Sequence, residues 1–300
     1  MKNERITVAF VPCMLLAVFS FVALVPTGQA LSAEANEAGA SVFAKDNLVA
    51  WCIVPFDASK RGPQERAEML KRLGITKVAY DWRAEHVPTF EEEILAYKEH
   101  GLEYFAFWSW HPEMAPLITK HGIKPQIWQI IPGPQPGTQE EMVEAAAKQL
   151  LPLVEQTREL GCKLALYNHG GWGGEPENMA AVCRWLRENA KGDHVGIVYN
   201  LHHGHEHIGD FAESLATMMP YLLCLNLNGM NDGANPKILP IGRGRHDKRL
   251  IETIAESGYR GPIGILDHRA DTDAERSLRE NLDGLKNLLR QLDAAAAAAP

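Results

Sequence analysis

Cysteine is scarce, five in 300 residues, and no two form a CxxC pair. The sequence therefore offers no zinc-ribbon or thioredoxin-like spacing. Positive charge is also short. Lys and Arg total 30 against 38 Asp and Glu, a formal net charge of −8. A negative field repels phosphate backbones, so nucleic acid is not an expected partner. Beyond position 25 no apolar run is long enough to cross a bilayer. No GxGxxG follows the first strand-like run, which counts against a dinucleotide-binding open sheet, and no organic cofactor is expected.

The one long apolar run opens the chain. Lys2 and Arg5 precede an apolar stretch from Ile6 to Val25, and small residues follow at Gly28 and Ala30. That order is expected of a cleaved secretory signal over residues 1–30; an uncleaved anchor is the alternative. Periplasmic or secreted localisation follows, with no stable membrane association after cleavage. Cleavage would leave 28 basic and 37 acidic residues, a net charge of −9. Residues 31–45 are rich in Ala, Glu, Ser and Asn and read as a linker, and 294–300 as a disordered tail. Cys52, Cys162, Cys183 and Cys224 lie in apolar or helical contexts and read as buried free thiols, although export permits disulfides.

Residues 46–293 alternate two periodicities. Short apolar runs at 48–54, 77–80, 104–108, 124–130, 163–167, 195–199, 222–227 and 263–266 read as buried parallel strands. Amphipathic stretches separate them, with a final helix at 273–292. Pro63 suits a first helical position. Thr89 with Glu92, and Thr138 with Glu141, have capping-box spacing. Gly74, Gly101, Gly122, Gly161 and Gly258 sit where left-handed helix ends are expected. Eight such units in one domain predict a single (β/α)8 TIM barrel, whose chemistry belongs in the loops after the strands.

Those loops hold the polar and aromatic clusters. Asp81, Arg83 and His86 follow strand two; Trp108 and Trp110 follow strand three. Gln129 ends strand four, Asn168 and His169 strand five, and Asn200 strand six. Four histidines, at 202, 203, 205 and 207, follow. Asn226 and Asn228 end strand seven, Asp267 and His268 strand eight. Aromatic faces beside amides and acids suit a pyranose, whose apolar face stacks while its hydroxyls are hydrogen-bonded. A small-molecule carbohydrate is the expected partner; oligomeric state is not legible. Blander readings exist for each: Trp51, Trp82 and Trp185 as packing residues, Asp81 and Arg83 as a mouth ion pair, the histidine run as a solvated loop.

The stretch from Pro240 to Asp247 (PIGRGRHD), Gly258 to Asp267 (GYRGPIGILD), Tyr167-Asn168-His169 and Asn200-Leu201-His202-His203 together resemble the xylose isomerase-like TIM-barrel superfamily of sugar-phosphate isomerases, epimerases and type-two AP endonucleases. The resemblance implies the barrel, and a divalent metal held by a Glu, an Asp, a His and a final Glu. The corresponding positions here look like Asn168, Asn200, Asn226 and Asp267, so three ligands have become amides, weak partners for a divalent ion. The resemblance also covers uncharacterised exported members.

These readings predict an exported isomerase, epimerase or lyase that abstracts a proton next to the carbonyl of a sugar or keto-sugar. His86, His169, Asp81 and Arg83 form the expected catalytic set. Trp108, Trp110, Gln129, Asn168, Asn200, Asn226, Asn228 and His268 are expected to bind substrate. His203, His205 and Asp267 would hold one relocated transition-metal ion, manganese, zinc, cobalt or nickel. The rival is a non-catalytic sugar-binding protein on a degenerate barrel. A glycoside hydrolase is disfavoured because Gln126, Gln129, Asn226 and Asn228 stand where paired carboxylates are needed. Acidity and export oppose an AP endonuclease.

Overall fold

The computed structural model describes residues 42–134 and 136–298. The expected signal at 1–30 and linker residues 31–41 lie outside them, as do residues 299 and 300. Eight parallel strands close in sequence order into a barrel. They are β1 (Leu48–Trp51), β2 (Lys77–Asp81), β3 (Glu103–Trp108), β4 (Gln126–Ile130), β5 (Lys163–Tyr167), β6 (Val195–Asn200), β7 (Leu222–Leu227) and β8 (Ile263–Leu266). Eight α-helices among the described residues surround it: α1 (Pro63–Leu73), α2 (Phe90–Glu99), α3 (Met114–His121), α4 (Gln139–Leu160), α5 (Pro176–Asn189), α6 (Phe211–Met218), α7 (Asp247–Glu256) and α8 (Ala274–Ala298).

Each strand divides its side chains by the two-residue period of the pleat. Val49 and Trp51 face a cluster inside the barrel with Ala79, Ala106, Trp128, Ala165 and Val198. Small residues on β2, β3 and β5 leave room for the indoles of Trp51 and Trp128, which meet edge to face at 4.8 Å. The alternate residues, such as Ala50, Val78, Tyr80, Phe107 and Leu164, pack outward in the layer shared with the helices. Behind β2, Arg66 of α1 donates to both carboxylate oxygens of Glu93 of α2 at 2.7 and 2.6 Å. Arg66 is 3% and Glu93 1% exposed, so removing one partner would cost about 3–5 kcal/mol.

Local punctuation follows the sequence in most places. Gly74, Gly101, Gly122, Gly161 and Gly258 all take positive φ between 61° and 80°. Thr138 caps α4, accepting from the Glu141 amide while the Glu141 carboxylate accepts from the Thr138 amide. Thr89 does not cap α2; its hydroxyl donates to the His86 carbonyl instead. The domain edges also differ from expectation. Val42 and Phe43, assigned to the linker, are buried in the core. The presumed tail residues 294–298 continue α8. Strand one ends at Trp51 rather than at 54, because Cys52 turns into the left-handed region at φ 59°.

Candidate active site

The strand ends enclose a small pocket of about 70 Å³. Its floor is formed by Trp51 of β1, Cys52 just after it and Tyr167 of β5. Asp81 and Arg83 line one wall, His169 and His203 another, and Phe56, Trp108 and His268 complete it. All but two of these, Phe56 and His203, lie within two residues of a strand terminus, as a barrel places its chemistry.

Asp81 and Asp267 are the two buried carboxyls among the described residues with both oxygens unpartnered, and of these Asp81 lines the pocket. It is 1% exposed, and neither carboxylate oxygen has a hydrogen-bond partner. Burial, opposed in part by the Arg83 charge, raises its pKa to about 7. Arg83 forms no ion pair with it within 4 Å among the described residues. Its guanidinium donates to the Trp82 carbonyl at 2.7 Å and lies over the rings of Phe56 and Trp108, 5.4 and 5.6 Å from their centroids. A cation is thus held at the mouth by ring faces, with donors free for a ligand oxygen.

The imidazoles make a chain across the pocket. His169 and His203 have ring centroids 4.4 Å apart, His203 and His202 3.7 Å, and His202 and His268 5.2 Å. Burial lowers the pKa of His203 to about 3 and of His268 to about 4, and His202 lies well below the usual value for the same reason. These three rings are neutral at pH 7. Their nitrogens can each hydrogen-bond a hydroxyl but carry no charge. His268 stacks on Phe56 at 4.0 Å, and its Nδ1 lies 3.5 Å from the Cys52 thiol. Burial and the nearby Asp81 and Asp267 push that thiol's pKa up, so it is not a ready nucleophile.

Other expected site residues are placed elsewhere. Asn168, Asn200 and Asn226 form a ladder beneath the pocket and line none of it. The Asn168 carboxamide donates to the Asn200 carbonyl at 3.0 Å and accepts from the Asn200 amide at 2.7 Å. Asn226 donates to Asn200 Oδ1 at 2.8 Å, and Trp51 Nε1 donates to the same oxygen at 3.2 Å. At 0%, 0% and 1% exposure these amides satisfy one another rather than a ligand. Asn228 donates into its own loop, to the Gly229 carbonyl at 2.8 Å. Gln129 accepts from the Trp110 amide at 3.3 Å, and Trp110 packs on the core. His86 Nδ1 accepts from the Arg83 amide at 2.9 Å and its ring lines a separate, outer cavity.

The expected metal set is not brought together. His205 turns its Nδ1 to the His202 carbonyl at 3.1 Å. Asp267 is fully buried outside the pocket, its nearest cation Arg269 Nε at 3.9 Å, and burial raises its pKa to about 8. Among the described residues no group of three or more His, Cys, Asp or Glu is placed to hold a metal ion. With the three amides bonded to each other and Asp267 turned away, this donor set does not fit the divalent ion of the related enzymes.

Four pocket groups escape sequence reasoning: Trp51, Cys52, Phe56 and Tyr167. Trp51 and Tyr167 end strands and Cys52 directly follows one, and that position was their only signal. Phe56 reaches the pocket from the loop after β1, while His202 lies buried behind His203 and does not line the pocket.

Comparison with solved structures places the architecture. The chain is similar to the 3-keto-D-glucoside 4-epimerase of E. coli at 17% identity and TM-score 0.60, covering 81% of this chain and 100% of that one. It is similar to the IOLI protein with a binding zinc atom at 14% identity and TM-score 0.63, covering 81% and 98%. It is also similar to the probable 3-DHS dehydratase of petrobactin synthesis from Bacillus anthracis at 14% identity and TM-score 0.61, covering 80% and 98%. At these identities the likeness shows the fold alone. No curated protein matches the chain. The family described as "Xylose isomerase-like TIM barrel" matches residues 33–288, and the chain belongs to that family.

Proposed function

We propose that this barrel is a sugar-modifying enzyme that moves a proton next to the carbonyl of a sugar or keto-sugar, with Asp81 as the proton carrier. The observation that carries the reading is the buried, unpartnered Asp81 carboxyl on the pocket wall, raised to about 7. A base works best with a pKa near the operating pH, because it is then available deprotonated and still strong enough to take a proton. His203 and His268, at about 3 and 4, are weak bases by comparison.

In the proposed step the Asp81 carboxylate takes the proton from the carbon beside the carbonyl. The C–H electrons form the enediolate, and negative charge moves to the carbonyl oxygen. Arg83 at the mouth stabilises that oxygen. For isomerisation Asp81 returns the proton to the former carbonyl carbon while the adjacent hydroxyl gives its proton to the enediolate oxygen, so the carbonyl moves by one carbon. For epimerisation Asp81 keeps its proton and a second donor on the other wall, His169, protonates the opposite face of the same carbon. Delivering the Asp81 proton to a β-hydroxyl instead expels it as water and gives a lyase. His169, His203 and His268 hydrogen-bond the hydroxyls and fix the reacting edge. The step uses no metal. The likeness to an epimerase and a dehydratase supports the class without choosing among the three outcomes. The order of residues 1–30 further supports export.

The rival, a sugar-binding protein without turnover, is favoured by the self-satisfied Asn168–Asn200–Asn226 ladder. Incubation with a panel of ketoses and 3-keto-sugars in D2O separates the two. Deuterium should appear at the carbon beside the carbonyl, persist after EDTA treatment, and fall at least a hundredfold in Asp81→Asn. Binding without deuterium incorporation establishes the rival. Exchange abolished by EDTA and restored by manganese or zinc overturns the metal-free step.

A further inference from the structure

The inner pocket, at about 70 Å³, has room for roughly two waters. A whole pyranose does not fit; only its reacting edge enters. Ligand sites usually span roughly 300–1,000 Å³, so the rest of a bound molecule needs space outside. A second cavity, of about 670 Å³, is lined by two of the loops that line the pocket.

Two chain segments join these spaces. In the loop after β1, Cys52 and Phe56 line the inner pocket while Val54, Pro55 and Asp57 line the outer cavity. In the loop after β2, Asp81 and Arg83 line the inner pocket while Glu85 and His86 line the outer one. Within the β2 loop the Arg83 amide donates to His86 Nδ1 at 2.9 Å, tying a residue of the inner pocket to one of the outer cavity. That bond leaves the proton of the neutral His86 ring on Nε2, as a donor.

The outer cavity has a polar, unfinished floor. Arg66 and Glu93, both nine-tenths or more buried, lie there, and Arg66 Nε has no partner. The Tyr80 hydroxyl, on a fully buried residue, also lacks one. Three cations and three carboxylates line it: Arg61 pairs with Asp57 at 2.9 Å and Arg66 with Glu93 at 2.6 Å, while Lys60 and Glu85 form no ion pair among the described residues. A phosphate or carboxylate would find Arg61 and Arg66 already engaged and meet Glu85 as well as Lys60. A neutral group rich in hydroxyls can donate to and accept from such a floor without upsetting the pairing.

We infer that the outer cavity is a second sugar subsite, so that the ligand is a glycoside lying across the β1 and β2 loops with one ring's edge in the inner pocket and the second ring outside. This deepens the proposed function and rests on the same inner pocket. Ala58 is exposed on the cavity rim and belongs to neither the floor nor the inner pocket, so it is the place to block.

The experiment is calorimetric binding of cellobiose, maltose and trehalose against glucose, and of the 3-keto form of each, to wild type, Ala58→Trp and Ala58→Ser. At least one disaccharide should bind wild type and Ala58→Ser at least tenfold more tightly than its monosaccharide. The advantage should vanish in Ala58→Trp, whose monosaccharide affinity and melting temperature stay at wild-type values. No disaccharide advantage in wild type, no binding at all, or an advantage that survives Ala58→Trp overturns the subsite. The same samples in D2O report the chemistry separately. Disaccharide preference without deuterium incorporation keeps the subsite and removes the enzyme reading.

Discussion

Replacing Asp81 with Asn tests the central group without changing its shape. Asp81 is buried, and its pKa rises from an ordinary 3.8 to about 7. For an acid with a raised folded-state pKa, stability is fully present below the unfolded value and is lost as pH rises through the folded one. The window therefore runs from about pH 4 to about pH 7. At about 1.4 kcal/mol per unit, the ionisation cost accumulated across it is of the order of 4 kcal/mol. Asn carries no such cost. It does leave a buried amide unsatisfied, a penalty of about 1–3 kcal/mol that is independent of pH. The pH dependence isolates the carboxyl from that constant. Melting curves of both proteins from pH 4 to pH 8.5 should show Asp81→Asn gaining on wild type as pH rises. With about 2–4 °C per kcal/mol for a domain of this size, the gain is on the order of 10 °C. Over the same range wild-type kcat/KM should rise through about pH 7 and then level off. A melting-temperature difference that stays constant with pH would show that Asp81 is not the desolvated acid described here, and the proton-carrier role would fall with it.

Arg83→Ala should keep its melting temperature within a few degrees, since the side chain makes one hydrogen bond to the Trp82 carbonyl and ring contacts at the rim, yet lose tenfold or more in turnover; a large stability loss with unchanged turnover per folded molecule would make it a clamp. Gly264→Ala would set a Cβ 1.7 Å from Asn226 Oδ1 and should cost roughly 3 kcal/mol or more, read as a loss of melting temperature; an unchanged value would mean the amide ladder yields freely. The proposed export with cleavage should yield, on intact-mass measurement of the periplasmic fraction, a chain shorter by roughly 30 residues, and a full-length mass in that soluble fraction would refute cleavage.

The barrel was legible because parallel strands buried on both faces are written as apolar runs, and the glycines after the helices mark where each turn ends. Strand limits were less so. Lys124 reads as strand but β4 begins at Gln126, where pairing with Lys163 of β5 sets in. The site was legible as a set of strand ends, not as a set of directions. Asp267 and His268 are adjacent in sequence, yet His268 enters the pocket and Asp267 is buried outside it, because successive residues point to opposite faces. An Asn at a strand end reads the same whether it meets a ligand or another Asn. Only the register of β6 against β7, which sets Asn200 beside Asn226, decides. His86 left the catalytic set for a similar reason. The 3-10 turn Ala84–Thr89 carries it past the mouth to the outer cavity.

Cys52 and His268 touch across 216 residues of sequence, one just after the first strand and the other just after the last. Both take left-handed backbone, at φ 59° and 47°, a strain of about 1–3 kcal/mol each that only completed surroundings can hold. The seam between β1 and β8 is therefore also the seam of the pocket. A chain emerging in order from its N-terminus has seven strands in place before His268 exists, and closing the longest loop in the molecule is entropically the slowest contact to make. A seven-strand intermediate would hold Asp81, Arg83 and His203 but no finished pocket. Binding at the proposed site would accordingly report on ring closure, and a refolding experiment that follows it should see it recover last, after the helices have regained their circular dichroism.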